Sequence, residues 1–375
     1  MDKTSLIVFG DGTHLDGYRT AVSLHGHTLH SKEDLSVVQD HVARAPLAGR
    51  LINSYCEGFR KKYENEAGFQ AAYWTPPLPE RAALALERRQ IEQTVGLEAM
   101  VSITDHDSID APVHLQLFED ASRVPISVEW TVPVGTTCLH LGVHNLPPSQ
   151  AYSWVEAMSL YRREPSAALL AELLESLDGD PSILVVLNHP AWDETVAGVR
   201  LHAAAVQEFL KSFGHWIHAL EINGLRPWAE NRQVIDLADA NGLPLVGGGD
   251  RHGCEPSAFL NLTRAESFAD FVCDVRRGHS RVLMMPQYHE PFHRRYLEAV
   301  WDILRDYPEY VGRVRWSDRV YLIDGNGGSH TLSSIWGKQE PSAAGFALVL
   351  LRLFSRMRAK PALRAALPPN EVMPG

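Results

Sequence analysis

Seven short apolar runs recur along this 375-residue chain, and each delivers a His, Asp or Glu at or just past its C-terminal end. They are AVSLHGH (21–27), MVSITDH (100–106), PISVEWTV (125–132), CLHLGVH (138–144), ILVVLNHP (183–190), ALEING (219–224) and PLVGGGD (244–250). The residues delivered are His25 and His27, Asp105 and His106, Glu129, His140, His189, Glu221, and Asp250 with His252 just beyond. Between the runs, segments 108–122, 151–176, 202–213, 228–241 and 265–277 have helical period or composition. Strand followed by helix, repeated, is the pattern of a parallel sheet with helical crossovers. Polar residues recur at every strand end and not at one switch point, which fits a closed barrel better than an open doubly wound sheet. In such a barrel all strand ends share one face, so residues as far apart as 25 and 252 converge on one pocket.

Two segments break the repeat. Residues 32–99 separate the first two strands by more than one helix needs and predict a helical insertion. Its helices run through VVQDHVARAPLAGRLINSYCEGFRKKY and ERAALALERRQIEQ, on either side of a TPPLP break. An insertion on the strand-end face would cover the pocket as a lid or specificity module. Residues 285–375 predict an α+β extension with a helix near 291–306, strands at RVRWSDRVYLIDG and SHTLSSIW, and a GNGG hairpin turn between them. A last helix through AAGFALVLLRLFSRMRAK is expected to pack on the core or on a second copy of the chain. The expected domains are therefore a barrel over 20–284, carrying the 32–99 insertion, and an extension over 285–375.

A hydrophobic content of 45% supports one large core. A formal net charge of −11 argues against wrapping a long nucleic acid, whose affinity comes mainly from Lys and Arg on phosphates. A small anionic substrate stays compatible if bound cations reverse the local charge. Cys56, Cys138, Cys254 and Cys273 form no CxxC pair, which predicts a reduced, cytoplasmic setting without a disulfide framework. The opening MDKTSLIVFGDG is too short in apolar residues for a secretory signal, and no apolar stretch of about 18 residues is present to span a membrane.

The polar residues have a chemistry of their own. His25 and His27 are two apart on a strand and point to one face, where both rings reach one cation or find ordinary hydrogen bonds. Thr104-Asp105-His106-Asp107 ends an apolar strand in polar groups whose unpaired burial would cost several kcal/mol, so they need a metal, a partner or solvent. Glu129 lies among Val and Trp and must be protonated, salt-bridged or metal-bound, and its carboxylate can bridge two ions. His140 and His144 share a strand face; His140 is the better ligand and His144 a candidate substrate contact. In GGGDRHG, Asp250 and His252 sit on a glycine segment that allows close approach.

Together HGHTLHS (25–31), ITDHD (103–107), VEW (128–130), HLG (140–142), NHP (188–190) and GGDRHG (248–253) resemble, in order, the motifs of the PHP (polymerase and histidinol phosphatase) phosphoesterases. The resemblance implies an α/β fold, a distorted (β/α)7 TIM-like barrel, and phosphoester hydrolysis with two to three divalent ions. It puts His25, His27, Glu129 and Asp250 around a first metal, His106 and His252 around a second, and Glu129, His140 and His189 around a third. Imidazole with carboxylate suits Zn, Mn or Fe. Asp105, Asp107 or Glu221 would orient ligands. The chain departs from the pattern at Lys32, where an acidic residue usually completes the second site, so Glu33 or Asp34 must substitute. Ser23 replaces an Asp, and the Arg that often follows HP is missing from HPAW, leaving Arg226 and Arg251 as candidate phosphate clamps.

The expected activity is hydrolysis of a small phosphomonoester: a nucleotide, a sugar phosphate or an amino-alcohol phosphate. The alternatives are an exonuclease or phosphodiesterase on short oligonucleotides, for which Arg60, Lys61, Lys62, Tyr63, Tyr73 and Trp74 offer the candidate groove, and a non-catalytic metal-bound scaffold. The remaining histidines, among them His30, His202 and His218, read as structural or surface residues.

Overall fold

The computed structural model describes residues 6–35 and 71–337. Its strands are β1 (Leu6–Val8), β2 (Thr20–Gly26), β3 (Glu33–Asp34), β4 (Ala71–Trp74), β5 (Glu98–Val101), β6 (Val128–Val134) and β7 (Thr137–His144). They continue with β8 (Leu184–Asn188), β9 (Ala219–Asn223), β10 (Leu245–Arg251), β11 (Phe259–Thr263), β12 (Arg281–Met284), β13 (Val320–Ile323) and β14 (Ser329–Thr331). All seven apolar runs contribute to strands, β2 and β5 to β10, although MVSITDH is strand only at Met100 and Val101. A ten-stranded sheet has the order β1-β12-β11-β2-β10-β9-β8-β7-β6, with β5 on β2 as well. Strand β2 gives its first residues to β11 and its last to β10, while β5 lies along its other edge.

The pairing differs from the expected barrel in two ways. The all-parallel repeat fails at β6–β7–β8, where both pairs are antiparallel. The cause is local: Gly135, at φ 59°, turns the chain straight from β6 into β7, leaving no room for a crossover helix. The sheet is also not closed by a ladder. β5 ends at Val101, and its continuation meets β6 through one parallel bridge, His106 with Glu129, backed by Asp107 N–H on the Glu129 carbonyl at 2.9 Å. A further consequence concerns where the polar groups sit. Glu129 is the second residue of β6 and His140 lies inside β7, so neither is at a C-terminal strand end.

Strands β2, β8, β9 and β11 are buried at every position, as expected of strands covered on both faces. Trp130 and Leu141 of the sheet share a core with Leu174, Phe209 and Val234 from helices Ala167–Asp178, Val199–Phe213 and Trp228–Asn241. Full burial of each such side chain contributes roughly 1.5–3 kcal/mol. Helices Asp110–Gln116, Ala151–Arg163 and Phe268–Arg276 also fall within the predicted segments. Helix Glu80–Arg89 realises ERAALALERR and continues as a π-helical turn to Val95.

The insertion and the extension share a second sheet of order β14-β13-β4-β3. The GNGG hairpin forms between β13 and β14. SHTLSSIW, expected as a strand, is extended only to Thr331, whose hydroxyl accepts from Ser334 N and starts the helix Leu332–Trp336. The helices expected through VVQDHVARAPLAGRLINSYCEGFRKKY and AAGFALVLLRLFSRMRAK lie outside the described residues. Among the described residues no helix is long and apolar enough to cross a membrane.

Candidate metal centre

Glu129 is fully buried and stands between two groups of imidazoles. Its Oε2 lies 3.1 Å from His25 Nε2, 3.3 Å from His27 Nε2 and 3.4 Å from His106 Nε2. Its Oε1 lies 3.5 Å from His140 Nδ1 and 3.2 Å from His189 Nε2, and accepts from Asn188 Nδ2 at 3.0 Å. Asp250 Oδ1 faces His25, His27 and His252 at 3.5–3.6 Å. Of the two acidic candidates after the first motif, Glu33 is the one turned inward. It lies 3.3 Å from both His106 Nε2 and His252 Nε2, whereas Asp34, its neighbour on β3, is exposed. All eight ligand candidates and Glu33 are thus brought together.

Three of these residues, His25 (φ 62°), His189 (φ 29°) and Asp250 (φ 50°), hold left-handed backbone, which non-glycine residues avoid. Such strain, on the order of 1–3 kcal/mol each, persists where surrounding structure over-determines it and gathers at functional sites. The glycines of the motif make room. A Cβ on Gly248 would stand 1.5 Å from Glu221 Oε1, so the GGG stretch is what lets Glu221 lie under His25.

The hydrogen bonds fix which ring nitrogen carries the proton. His25 Nδ1 donates to Glu221 at 2.6 Å, and His252 Nδ1 donates to the Asp250 carbonyl at 2.9 Å. Ser31 gives its one proton to Glu33 at 2.6 Å, so its oxygen accepts from His27 Nδ1 at 3.3 Å. In each neutral ring the Nε2 lone pair is left facing the centre, the arrangement by which outer partners orient metal-ligating histidines. His25 Nε2, His27 Nε2 and Glu129 Oε2 are buried and have no hydrogen-bond partner, although Glu129 Oε2 lies 3.1 and 3.3 Å from the two nitrogens. Nitrogen and oxygen atoms sharing one ion at about 2.0–2.1 Å would stand roughly 3.4 Å apart in a tetrahedron. The donor set therefore fits divalent metal ions.

Without an ion the carboxylates favour protonated rings at His25, His106 and His252, protons that ligation would displace. Burial alone would raise the Glu129 carboxyl, but His25, His106 and His140 hold it well below the usual range. Glu33 is held down likewise by His252 and His106 against the same burial. His106, which burial would lower, is pushed up to about 10 by Glu33 and Glu129. The carboxylates are ionised and ready to balance positive charge.

The other candidates divide. Glu221 is buried and also accepts from His189 N at 3.0 Å, placing it behind two ligand candidates. Asp105 is buried and receives Thr28 N at 2.5 Å and Thr28 Oγ1 at 2.7 Å, bracing the loop after β2. Asp107 turns away to Arg162 at 2.6 Å and Thr131 N at 3.0 Å. Arg226 donates to Asp250 Oδ2 at 2.9 Å and stacks over Trp192 at 4.0 Å, at the edge of the centre. Arg251 does not suit a phosphate clamp. Its guanidinium is buried on Glu87 Oε1 at 3.0 Å and the Gly253 carbonyl at 3.1 Å, and it packs under Gly26. His144 is likewise no substrate contact: it is buried on Ser102 Oγ at 2.8 Å, and burial pushes its pKa down to about 3.

Two acidic residues went unread in the sequence. Glu194 Oε2 lies 3.1 Å from His140 Nε2 and is pulled to about 2 by His140 against its burial. It rides on a loop folded by Asp193, whose carboxylate accepts from Ala197 N and Gly198 N. An acidic residue five positions after the NHP histidine was the available signal. Glu87, on helix Glu80–Arg89, carries no motif. Of the candidate oligonucleotide groove, Tyr73 stacks on Tyr321 at 4.9 Å and Trp74 lies 5.7 Å from His252, while residues 60–63 are outside the described residues.

No family model and no curated protein sequence matches the chain. Among solved structures it is similar to PsfC from Pseudomonas syringae PB-5123, at 15% identity over 72% of this chain and 93% of that one, with a TM-score of 0.40. A candidate metal-dependent phosphoesterase from Bifidobacterium adolescentis is similar at 16% identity over 53% and 91%, TM-score 0.34. An amidohydrolase from Chromobacterium violaceum is similar at 14% identity over 47% and 83%, TM-score 0.32.

Proposed function

We propose that this chain is a metal-dependent phosphoesterase that hydrolyses a small phosphomonoester, such as a nucleotide, a sugar phosphate or an amino-alcohol phosphate. The observation that carries the reading is the meeting of His25 Nε2, His27 Nε2 and Glu129 Oε2, buried and without hydrogen-bond partners, inside a set of motifs that resembles the PHP phosphoesterases. In this reading His25, His27, Glu129 and Asp250 hold one ion, and Glu33, His106 and His252 hold a second. Glu129, His140 and His189 hold a third, with Glu194 beside it. Bound divalent ions, of the zinc, manganese or iron kind, would supply Lewis acidity at a phosphoryl oxygen and lower the pKa of a water.

The chain's own groups do the rest. Glu129, with one oxygen toward each group of rings, holds them at fixed separation. Glu221 and Ser31 keep His25 and His27 in the Nδ1–H tautomer. Arg226, held on Trp192, orients Asp250 and is the guanidinium placed to meet a phosphate oxygen in place of the missing arginine after HP. The ten-stranded sheet would be a distorted barrel left open between β5 and β6, which meet only at the His106–Glu129 bridge.

The test is turnover of a phosphomonoester panel, beginning with p-nitrophenyl phosphate, by protein reconstituted with zinc or manganese. The double substitution Asp250→Ala with His252→Ala is expected to lower kcat/KM by at least ~100-fold. Unchanged turnover in that variant would refute the proposal.

A further inference from the structure

We propose that His30, Glu80 and His114 form a separate divalent-cation site of the zinc class, sharing no residue with the centre around Glu129. The three come from the loop after β2, the first turn of helix Glu80–Arg89 and the last turn of helix Asp110–Gln116. His30, expected to be only a structural or surface residue, instead meets a second histidine across one carboxylate. Glu80 Oε2 faces His30 Nε2 at 3.3 Å, and Glu80 Oε1 faces His114 Nδ1 at 3.8 Å. The two rings meet edge to face with centroids 5.1 Å apart, and one donor atom from each of the three residues lies within 4.8 Å of the others.

Those spacings bear on what Glu80 is doing. His30 and Glu80 share a hydrogen bond, but at 3.3 Å it is long for a charge-assisted imidazolium–carboxylate bond, which is usually about 2.7–2.9 Å. Donors that share an ion at 2.0–2.1 Å stand about 3.4 Å apart, between the two values observed. Two imidazoles and a carboxylate are a zinc-type donor set; magnesium and calcium prefer oxygen alone. Asp105 and Asp110 add negative potential at His30. The His30 and Glu80 side chains are each 18% exposed and that of His114 is 49% exposed, so an ion can enter and a water can complete its shell. An ion there would join two helices to the loop that carries Thr28 and Ser31, the residues that brace Asp105 and His27.

The test is zinc uptake by the full chain, read by competition with a chromophoric chelator, in wild type, His114→Ala and Glu80→Gln. Each variant is expected to bind one zinc equivalent fewer than wild type. The same one-equivalent difference is expected when Glu129→Gln is also present, so the result does not depend on the fate of the main centre. Because His114 is half exposed and Gln retains the shape of Glu80, both variants should fold, which their melting without zinc will show. Wild-type uptake in either variant overturns the proposal.

Discussion

Glu221 and Glu87 are both buried, one behind His25 and the other behind Arg251, and they separate two ways a buried carboxylate supports a site. Glu221 fixes the His25 tautomer through a 2.6 Å bond. Glu221→Gln should weaken metal binding about 10–100-fold with little change in unfolding, measured by chelator competition and melting. Glu87 collects Ser23 Oγ at 2.9 Å, Ser257 N at 3.1 Å and Arg251 Nε at 3.0 Å while almost wholly buried. Breaking that pair with Arg251→Met leaves a buried charge unpaired, and a loss of about 3–5 kcal/mol in denaturant unfolding is expected. Adding Glu87→Gln, which removes the unpaired charge and still accepts from Ser257 N, should return most of it; a double variant as unstable as the single one would show that the pair is not the cause. The ligand candidates were legible because two-residue spacing on a strand is itself geometry, as in HGH and DRH. Glu33 against Asp34 was not, since only the pairing of β3 with β4 decides which carboxylate faces inward. Glu87 was illegible because its partner is 164 residues away.

At the scale of elements, the sequence announced every strand of the seven runs but not all their directions. Buried apolar runs look alike whether parallel or antiparallel, and the decisive signal was Val134-Gly135-Thr136, a turn too tight for a crossover. His218 shows how neighbouring elements are tied. Its Nδ1 accepts from Val185 N of β8 at 2.8 Å, and its Nε2 donates to Asp178, at the end of helix Ala167–Asp178, at 2.9 Å. Only the neutral ring can do both. Burial, opposed by the bond to Asp178, pushes its pKa down to about 4. The unfolded chain, with an ordinary histidine near 6.5, takes up the proton first as pH falls. Stability from this residue is therefore complete above about pH 6.5 and is lost toward pH 4, by on the order of 3 kcal/mol. His218→Asn, whose amide can accept the same N–H without titrating, should flatten that part of the pH profile relative to wild type. Identical slopes between pH 6.5 and 4 in chelator-treated protein would contradict it.

For the whole molecule, the insertion and the extension are less separate than a domain boundary at 285 suggests. Their shared sheet, β14-β13-β4-β3, ends on the strand that carries Glu33, so residues far apart in sequence jointly set one side of the centre. Patterning could not show this, because β3 and β14 are two and three residues long. The net charge of −11 and the carboxylates facing the imidazoles belong to the same design, since bound cations would offset part of that charge. The proposed function rests on Glu129 joining the histidines into one polynuclear metal centre. The measurement that tests it most directly is metal per chain by elemental mass spectrometry, after identical reconstitution of wild type and Glu129→Gln with zinc or manganese. The account predicts that the variant holds at least about two ions fewer and loses phosphomonoester turnover with them. Equal metal content in the two proteins would contradict it.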